Sequence, residues 1–221
     1  RNLLSPARQR ADWEAALAGL RGRGDVPTDR IVLWGTDLSG GAVLDVAADD
    51  PRIEAVVSQT PILSGRAFLR DRGLGFLGRG VLAGVRDVLQ SRLFGSHSIV
   101  VADDGSGGRR GLSLVSTPSA HRSYRDVAGG DWDGRLPARS LLALARHVGD
   151  PDRERLARPV LFVGGTRDDV VPIESIEEVS EEIADATLVR LPSGHFDLYD
   201  GTGFERAIGH GLAFLDAVVE E

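Results

Sequence analysis

Three side chains set far apart along the sequence could do chemistry together: Asp37, Asp168 and His195. Each lies just beyond a short apolar run: Ile31 to Trp34, Val160 to Val163, and Thr187 to Leu191. A histidine oriented by one carboxylate is a general base. A second carboxylate, ionised at neutral pH, is a nucleophile toward saturated carbon. It can displace a halide or open an epoxide, forming an alkyl ester that histidine-activated water then hydrolyses. Attack on an ester carbonyl would instead give an anhydride, a poor route.

Such roles need a sharp corner that lifts one side chain above a sheet. Residues 31–41, Ile-Val-Leu-Trp-Gly-Thr-Asp-Leu-Ser-Gly-Gly, read as strand, glycine-rich turn and helix start. Two frames compete. With Asp37 at the apex, Gly35 supplies the very small residue needed two places earlier, and Ser39 replaces the usual second glycine. With Ser39 at the apex, Asp37 would occupy the crowded position. Gly35 favours Asp37. The N–H of the next residue, Leu38, would then be an oxyanion donor, worth about 3 kcal/mol in a transition state.

The surrounding pattern supplies the positioning elements. Ser5-Pro6 predicts a helix start, with Trp13, Ala16, Leu17 and Leu20 at helical spacing. The apolar runs at 31–34, 53–58, 160–163 and 187–191 read as buried parallel strands. Helices over about 39–48 and 173–183 alternate with them, predicting an α/β sheet covered on both faces. Phe204, Ile208, Leu212, Leu215 and Val219 predict the buried face of a closing helix, and Thr202 with Glu205 predicts its capping box. Residues 62–155 break the alternation. Val81, Leu82, Val85, Val88 and Leu89 give one amphipathic helix, and Ala138 to His147 another. Ser98–Ala102 and Leu112–Val115 read as a hairpin around Asp104-Gly105-Ser106-Gly107-Gly108. The expected organisation is a core of 1–61 with 156–221, and a cap or insertion over 62–155. Trp34, Pro61 and Ile62 are expected to wall the pocket, with Trp132 a further candidate.

Composition excludes several classes. Net charge is −7 over 221 residues, and every positive side chain is arginine. No basic stripe suits nucleic acid, and no polybasic segment suggests membrane attachment. The absence of cysteine excludes disulfides and thiol catalysis. No histidine–acid spacing fits a metal site. His97, His121, His147 and His210 lack a strand-end setting and read as structural or surface residues. Asp169 competes with Asp168 as the acid, and both could simply cap the following helix. The expected setting is cytoplasmic, with a small-molecule substrate; a homodimer and a missing N-terminal segment of the same protein are open possibilities, the alternative to the latter being an incomplete site.

Trp34-Gly35-Thr36-x-x-Ser39-Gly40-Gly41 resembles the elbow of bacterial α/β-hydrolases of the dienelactone-hydrolase and acyl-peptidase-like group. The resemblance continues through Ser116-Thr117-Pro118, Pro159-Val160-Leu161 and Gly165-Thr166-Arg167-Asp168. It ends in Gly194-His195-Phe196-Asp197-Leu198-Tyr199 with Phe204-Glu205. It implies the α/β-hydrolase fold, triad roles for Asp37, Asp168 and His195, and no cofactor. That group carries serine at the position of Asp37 and several strands ahead of the elbow. The function expected from the residues is therefore hydrolysis of an epoxide, alkyl halide or related electrophile through Asp37. The alternatives are ester or acyl hydrolysis with a substituted nucleophile or with Ser39 acting, and a non-catalytic binding protein.

Overall fold

The structure is a computed structural model. It describes residues 2–105, 112–128, 132–147 and 156–220. In chain order the elements are α1 (Pro6–Arg21), β1 (Ile31–Thr36), α2 (Leu38–Asp49), β2 (Ile53–Gln59), α3 (Gly65–Arg70), α4 (Leu74–Gln90), β3 (Ser98–Asp103) and β4 (Ser113–Ser116). They continue with α5 (Pro118–Ala128), β5 (Arg135–Pro137), α6 (Arg139–Arg146), β6 (Val160–Gly165), α7 (Ile173–Glu182), β7 (Ala186–Leu191) and α8 (Gly201–Glu220). The chain divides into two compact units, one of Pro6–Ser64 with Gly149–Glu221, the other of Arg1–Ser5 with Gly65–Val148.

The first unit is a parallel sheet in the order β1-β2-β6-β7. Its strands are apolar on both faces because helices cover both, as the unbroken runs predict. Trp34 sits opposite Val57 in register, and both point to the side where Leu161, Val163, Leu191, Leu198 and Ala207 form one cluster. The alternate residues Val56 and Phe162, both fully buried, point to the other side. Because all four strands run the same way, their carboxyl ends share one edge of the sheet, where open α/β sheets place ligands.

α8 meets this sheet through a stripe different from the predicted one. Gly203, Ala207, Gly211 and Val218 are buried, whereas Phe204, Leu212 and Val219 are 42%, 54% and 63% exposed. Close approach decides this. A Cβ on Gly211 would lie 2.1 Å from the Trp34 ring, so a bulky stripe could not reach the same depth. The helix also begins at Gly201, whose N–H donates to the Asp200 carboxylate at 2.8 Å. Thr202 thus lies inside the first turn and not at the expected cap.

In the second unit β3 is flanked by β4 and β5. The expected hairpin is not formed: β3 and β4 are parallel, with Val100 opposite Ser113 and Ala102 opposite Val115. β5 supplies the antiparallel partner, pairing Ile99 with Leu136. Alternating apolar residues mark a strand without orienting it, and the Asp-Gly turn composition carried the whole hairpin reading. Ser106, Gly107 and Gly108 of that turn lie outside the described residues. α4 packs through Gly80, Ala83, Gly84 and Asp87. The Asp87 carboxylate, fully buried, accepts from Ser96, the His97 N–H, and the backbone and side chain of Arg139. Burial works against its charge, yet these donors hold its pKa below the usual carboxylate value.

Candidate active site

The β1–α2 corner is built around one strained residue. Asp37 has φ 54° and ψ −124°, a conformation few non-glycine residues adopt. Neighbouring backbone holds it there. Its N–H donates to the Gln59 carbonyl at 3.0 Å, and its carbonyl accepts from Gly40 at 3.0 Å and Ile62 at 2.9 Å. The crowding beneath is severe: a Cβ on Gly35 would stand 2.3 Å from the Ser39 carbonyl oxygen. The small residue thus falls two places before Asp37, and Asp37 occupies the summit of the turn. Ser39 lies within α2.

Asp37 is the N-cap residue of α2, but its side chain does not fold back to cap the helix. Leu38 is the first residue of α2, so its N–H has no acceptor inside the helix. An anionic side chain at a helix N-terminus is favoured by about 0.3–1 kcal/mol when exposed and up to ~2 kcal/mol when partly buried. Pro61 and Ile62 brace this corner. Added Cβ atoms on Gly40 and Gly41 would meet Pro61 at 2.9 Å and the Ile62 carbonyl at 2.4 Å. Trp34 likewise belongs to the core beneath α8.

Asp168 and His195 meet as a buried pair. His195 Nδ1 lies 2.8 Å from Asp168 Oδ2, with side-chain exposures of 1% and 0%. A carboxylate can only accept, so Nδ1 carries the proton and Nε2 is left as the basic nitrogen. The other carboxylate oxygen of Asp168 accepts from the N–H groups of Val170 and Val171 at 2.8 and 2.7 Å. Asp169, the competing acid, is exposed, and Asp168 is the residue bonded to the imidazole. The His195 loop is itself tethered. Arg167 N–H donates to the Ser193 carbonyl at 3.1 Å, and Gly194 N–H to Asp197 at 2.8 Å.

Burial disfavours the charged imidazole of His195. The hydrogen bond with Asp168 and the negative charges of Asp168, Asp37 and Asp169 outweigh it, so its pKa is raised. The protonated ring therefore stabilises the fold fully below an unfolded value of about 6.5, and that contribution is lost as pH rises through the higher folded value. Asp168→Asn removes the two strongest supports and leaves burial opposed only by the charges of Asp37 and Asp169. The His195 pKa is expected to fall in that variant, read by proton NMR titration of the imidazole.

Tyr199 completes the cluster and carried no role in the sequence reading. Its ring stands 5.8 Å from that of His195, and Phe196 packs edge-on to the imidazole at 4.8 Å. The Tyr199 hydroxyl is 3.3 Å from Thr60 Oγ1. Burial and the Asp37 charge push its pKa up to about 12, so it stays protonated at neutral pH. Thr60, at φ 42°, is a second strained residue at a strand end. The effect of the Asp37 charge on this hydroxyl is visible only in three dimensions, since 162 positions separate Asp37 from Tyr199 (199 − 37). Trp132 sits in the other unit, stacked on Tyr124 at 5.7 Å, and lines a 420 Å³ cavity there with Val100 and His121.

No family profile matches the chain. The quorum-quenching protein AidA of Acinetobacter baumannii (strain MDR-ZJ06) is 29% identical over 223 residues, covering 99% of this chain and 72% of its own length. The α/β hydrolase GrgF from Penicillium sp. sh18 superposes with a TM-score of 0.80 at 19% identity, over 100% of this chain and 75% of that one. The fold is the α/β-hydrolase fold. DcsB, solved in complex with its substrate analogue, superposes with a TM-score of 0.78 at 22% identity, over 98% of this chain and 74% of that one. The strand-end corner, the acid after β6 and the histidine after β7 therefore stand in the chain order that this fold uses for nucleophile, acid and base.

Proposed function

We propose that this chain is a hydrolase in which Asp37 is a covalent nucleophile toward an epoxide, an alkyl halide or a related small organic electrophile. The observation that carries this reading is the strained summit conformation of Asp37, whose charge acts on His195 of the buried histidine–aspartate pair. In the first step a carboxylate oxygen of Asp37 bonds to the electrophilic carbon. The carbon–halogen or carbon–oxygen bond breaks, and its electron pair leaves with the halide or alkoxide. The protonated Tyr199 hydroxyl is the neutral hydrogen-bond donor available for that developing charge.

In the second step His195 takes a proton from water, and the hydroxide adds to the carbonyl carbon of the ester. The Leu38 N–H stabilises the oxyanion. On collapse the His195 imidazolium returns its proton to the departing alkoxide, so the alcohol leaves, and the Asp37 acid releases its own proton to give the carboxylate, now carrying one oxygen from water. The electrostatics favour this order. Asp37 as an anion helps to raise the His195 pKa; as a neutral ester it no longer does. Ester formation thus releases the imidazole to act as a base at the point where a base is required.

The test is Asp37→Ser. Under this reading the variant loses turnover of epoxides and alkyl halides, because a serine hydroxyl is a weak nucleophile toward saturated carbon. A gain of hydrolysis on short acyl esters, with the wild type inert toward epoxides and halides, would instead mark the chain as a serine-type acyl hydrolase whose nucleophile has been substituted. Inert proteins that still bind the ligand would favour a binding role.

A further inference from the structure

α4 turns its largest side chains to solvent. Its packed side holds Gly80, Ala83, Gly84 and Asp87. On the opposite arc Leu74 is 85% exposed and Leu82 and Leu89 are each 73% exposed. Val81, Val85 and Val88 are about half exposed. At roughly 100° per residue these positions fall on one arc of about 120°, on the side away from the packed one. Just past the helix, Leu93 and Phe94 are 79% and 83% exposed. Monomeric soluble proteins rarely leave contiguous apolar surface of this kind uncovered.

Charge identifies what covers it. Between residues 65 and 95 the exposed arginines are Arg66, Arg70, Arg79, Arg86 and Arg92, against a single exposed acid, Asp71. The other acid there, Asp87, is buried and engaged with Arg139. This segment reverses the balance of a chain whose net charge is −7. A second copy related by a two-fold axis would set the same basic ridge against itself, like charge against like. An anionic lipid surface meets both demands. Acyl chains accept the projecting leucines and Phe94, while lipid phosphates accept from the guanidinium groups.

We propose that α4 is an interfacial helix that docks this protein on anionic lipid surfaces. Leu82, Leu89 and Phe94 enter the acyl boundary, and Arg79, Arg86 and Arg92 engage the phosphates. No helix among the described residues is long and apolar enough to cross a membrane, so α4 lies on the surface and does not span it. The expectation of no membrane partner rested on the lack of a polybasic run, and these arginines are spaced along the segment and not clustered in sequence. The docking role is independent of the chemistry at Asp37.

The test is co-sedimentation of the full chain with vesicles of phosphatidylglycerol and phosphatidylcholine in equal parts. Binding is expected at low salt, falling roughly tenfold or more on pure phosphatidylcholine or in about 0.5 M salt. Leu82→Asp with Leu89→Asp should lower binding at least about tenfold while circular dichroism melting stays unchanged, since both side chains are exposed. Should that variant fail to fold, Arg79→Gln with Arg86→Gln reads the electrostatic half by the same assay. Absence of binding to the mixed vesicles, or binding untouched by these substitutions, overturns the proposal. So does a dimer in analytical ultracentrifugation that the two aspartates abolish while vesicles are ignored; the face would then belong to a second copy.

Discussion

His195→Gln is expected to stop the enzyme half-way. Asp37 is still a carboxylate in this variant and still attacks, so one equivalent of leaving group is released. The ester then persists because no base activates water. Steady-state turnover should fall roughly 10²–10⁴-fold, the usual contribution of a positioned base. Intact-protein mass spectrometry should show a stoichiometric adduct, and peptide mapping should place it on Asp37. Glutamine suits the site because its amide can donate to Asp168, which would otherwise be a buried carboxylate without its imidazole. Breaking such a pair outright costs about 3–5 kcal/mol, so an alanine here would confound chemistry with unfolding. A variant that neither releases a first equivalent nor carries an adduct would show that attack itself needs His195, as for a serine nucleophile.

Asp37→Asn has the larger effect. Asparagine matches aspartate in size and shares its tolerance of positive φ, so the corner at φ 54° should survive. The amide cannot act as the nucleophile, and loss of a covalent nucleophile costs roughly 10⁴–10⁶ in turnover. Neither a burst nor an adduct should form. The same substitution removes one of the charges that raise the His195 pKa, so that pKa should fall in the NMR titration. The two readouts separate roles. Lost turnover with an unmoved imidazole would place Asp37 away from the histidine, whereas both changes together bind the three residues into one unit.

Much of this site is legible in the sequence because covalent spacing and strand ends set it. Gly35 names the apex two residues ahead, since only a side chain without Cβ passes the Ser39 carbonyl. Asp168 and His195 each follow an apolar run, and parallel strands bring those ends to one edge. The choice of Asp168 over Asp169 needed geometry, because either could have faced the loop and only one accepts from Val170, Val171 and His195. Tyr199 and Thr60 were invisible for the same reason. Their hydroxyls meet through tertiary packing, which no local period encodes.

Hydrophobic periodicity alone does not say which stripe packs: on α8 the small residues Gly203, Ala207 and Gly211 are buried, and Phe204, Leu212 and Val219 lie outside. On α4 the division is sharper still, with glycine and alanine packed and leucine exposed. Small residues permit close helix approach, so packing depth, and not hydrophobicity, selects the buried stripe in both helices. The β3–β4 pair fails differently. Strand propensity is right for both segments, but alternation does not encode direction: β4 pairs with β3 in parallel and β5 is the antiparallel partner.

The central claim is that oxygen passes through Asp37 on its way to product. A single turnover in water enriched in heavy oxygen, with enzyme in excess over an epoxide or alkyl halide, tests it directly. The tryptic peptide of residues 31–52 should gain one heavy oxygen at Asp37, and the first product should carry ordinary oxygen from the enzyme. Label appearing in that first product, with the peptide unlabelled, would mean that water attacks the substrate directly and that Asp37 is not the nucleophile.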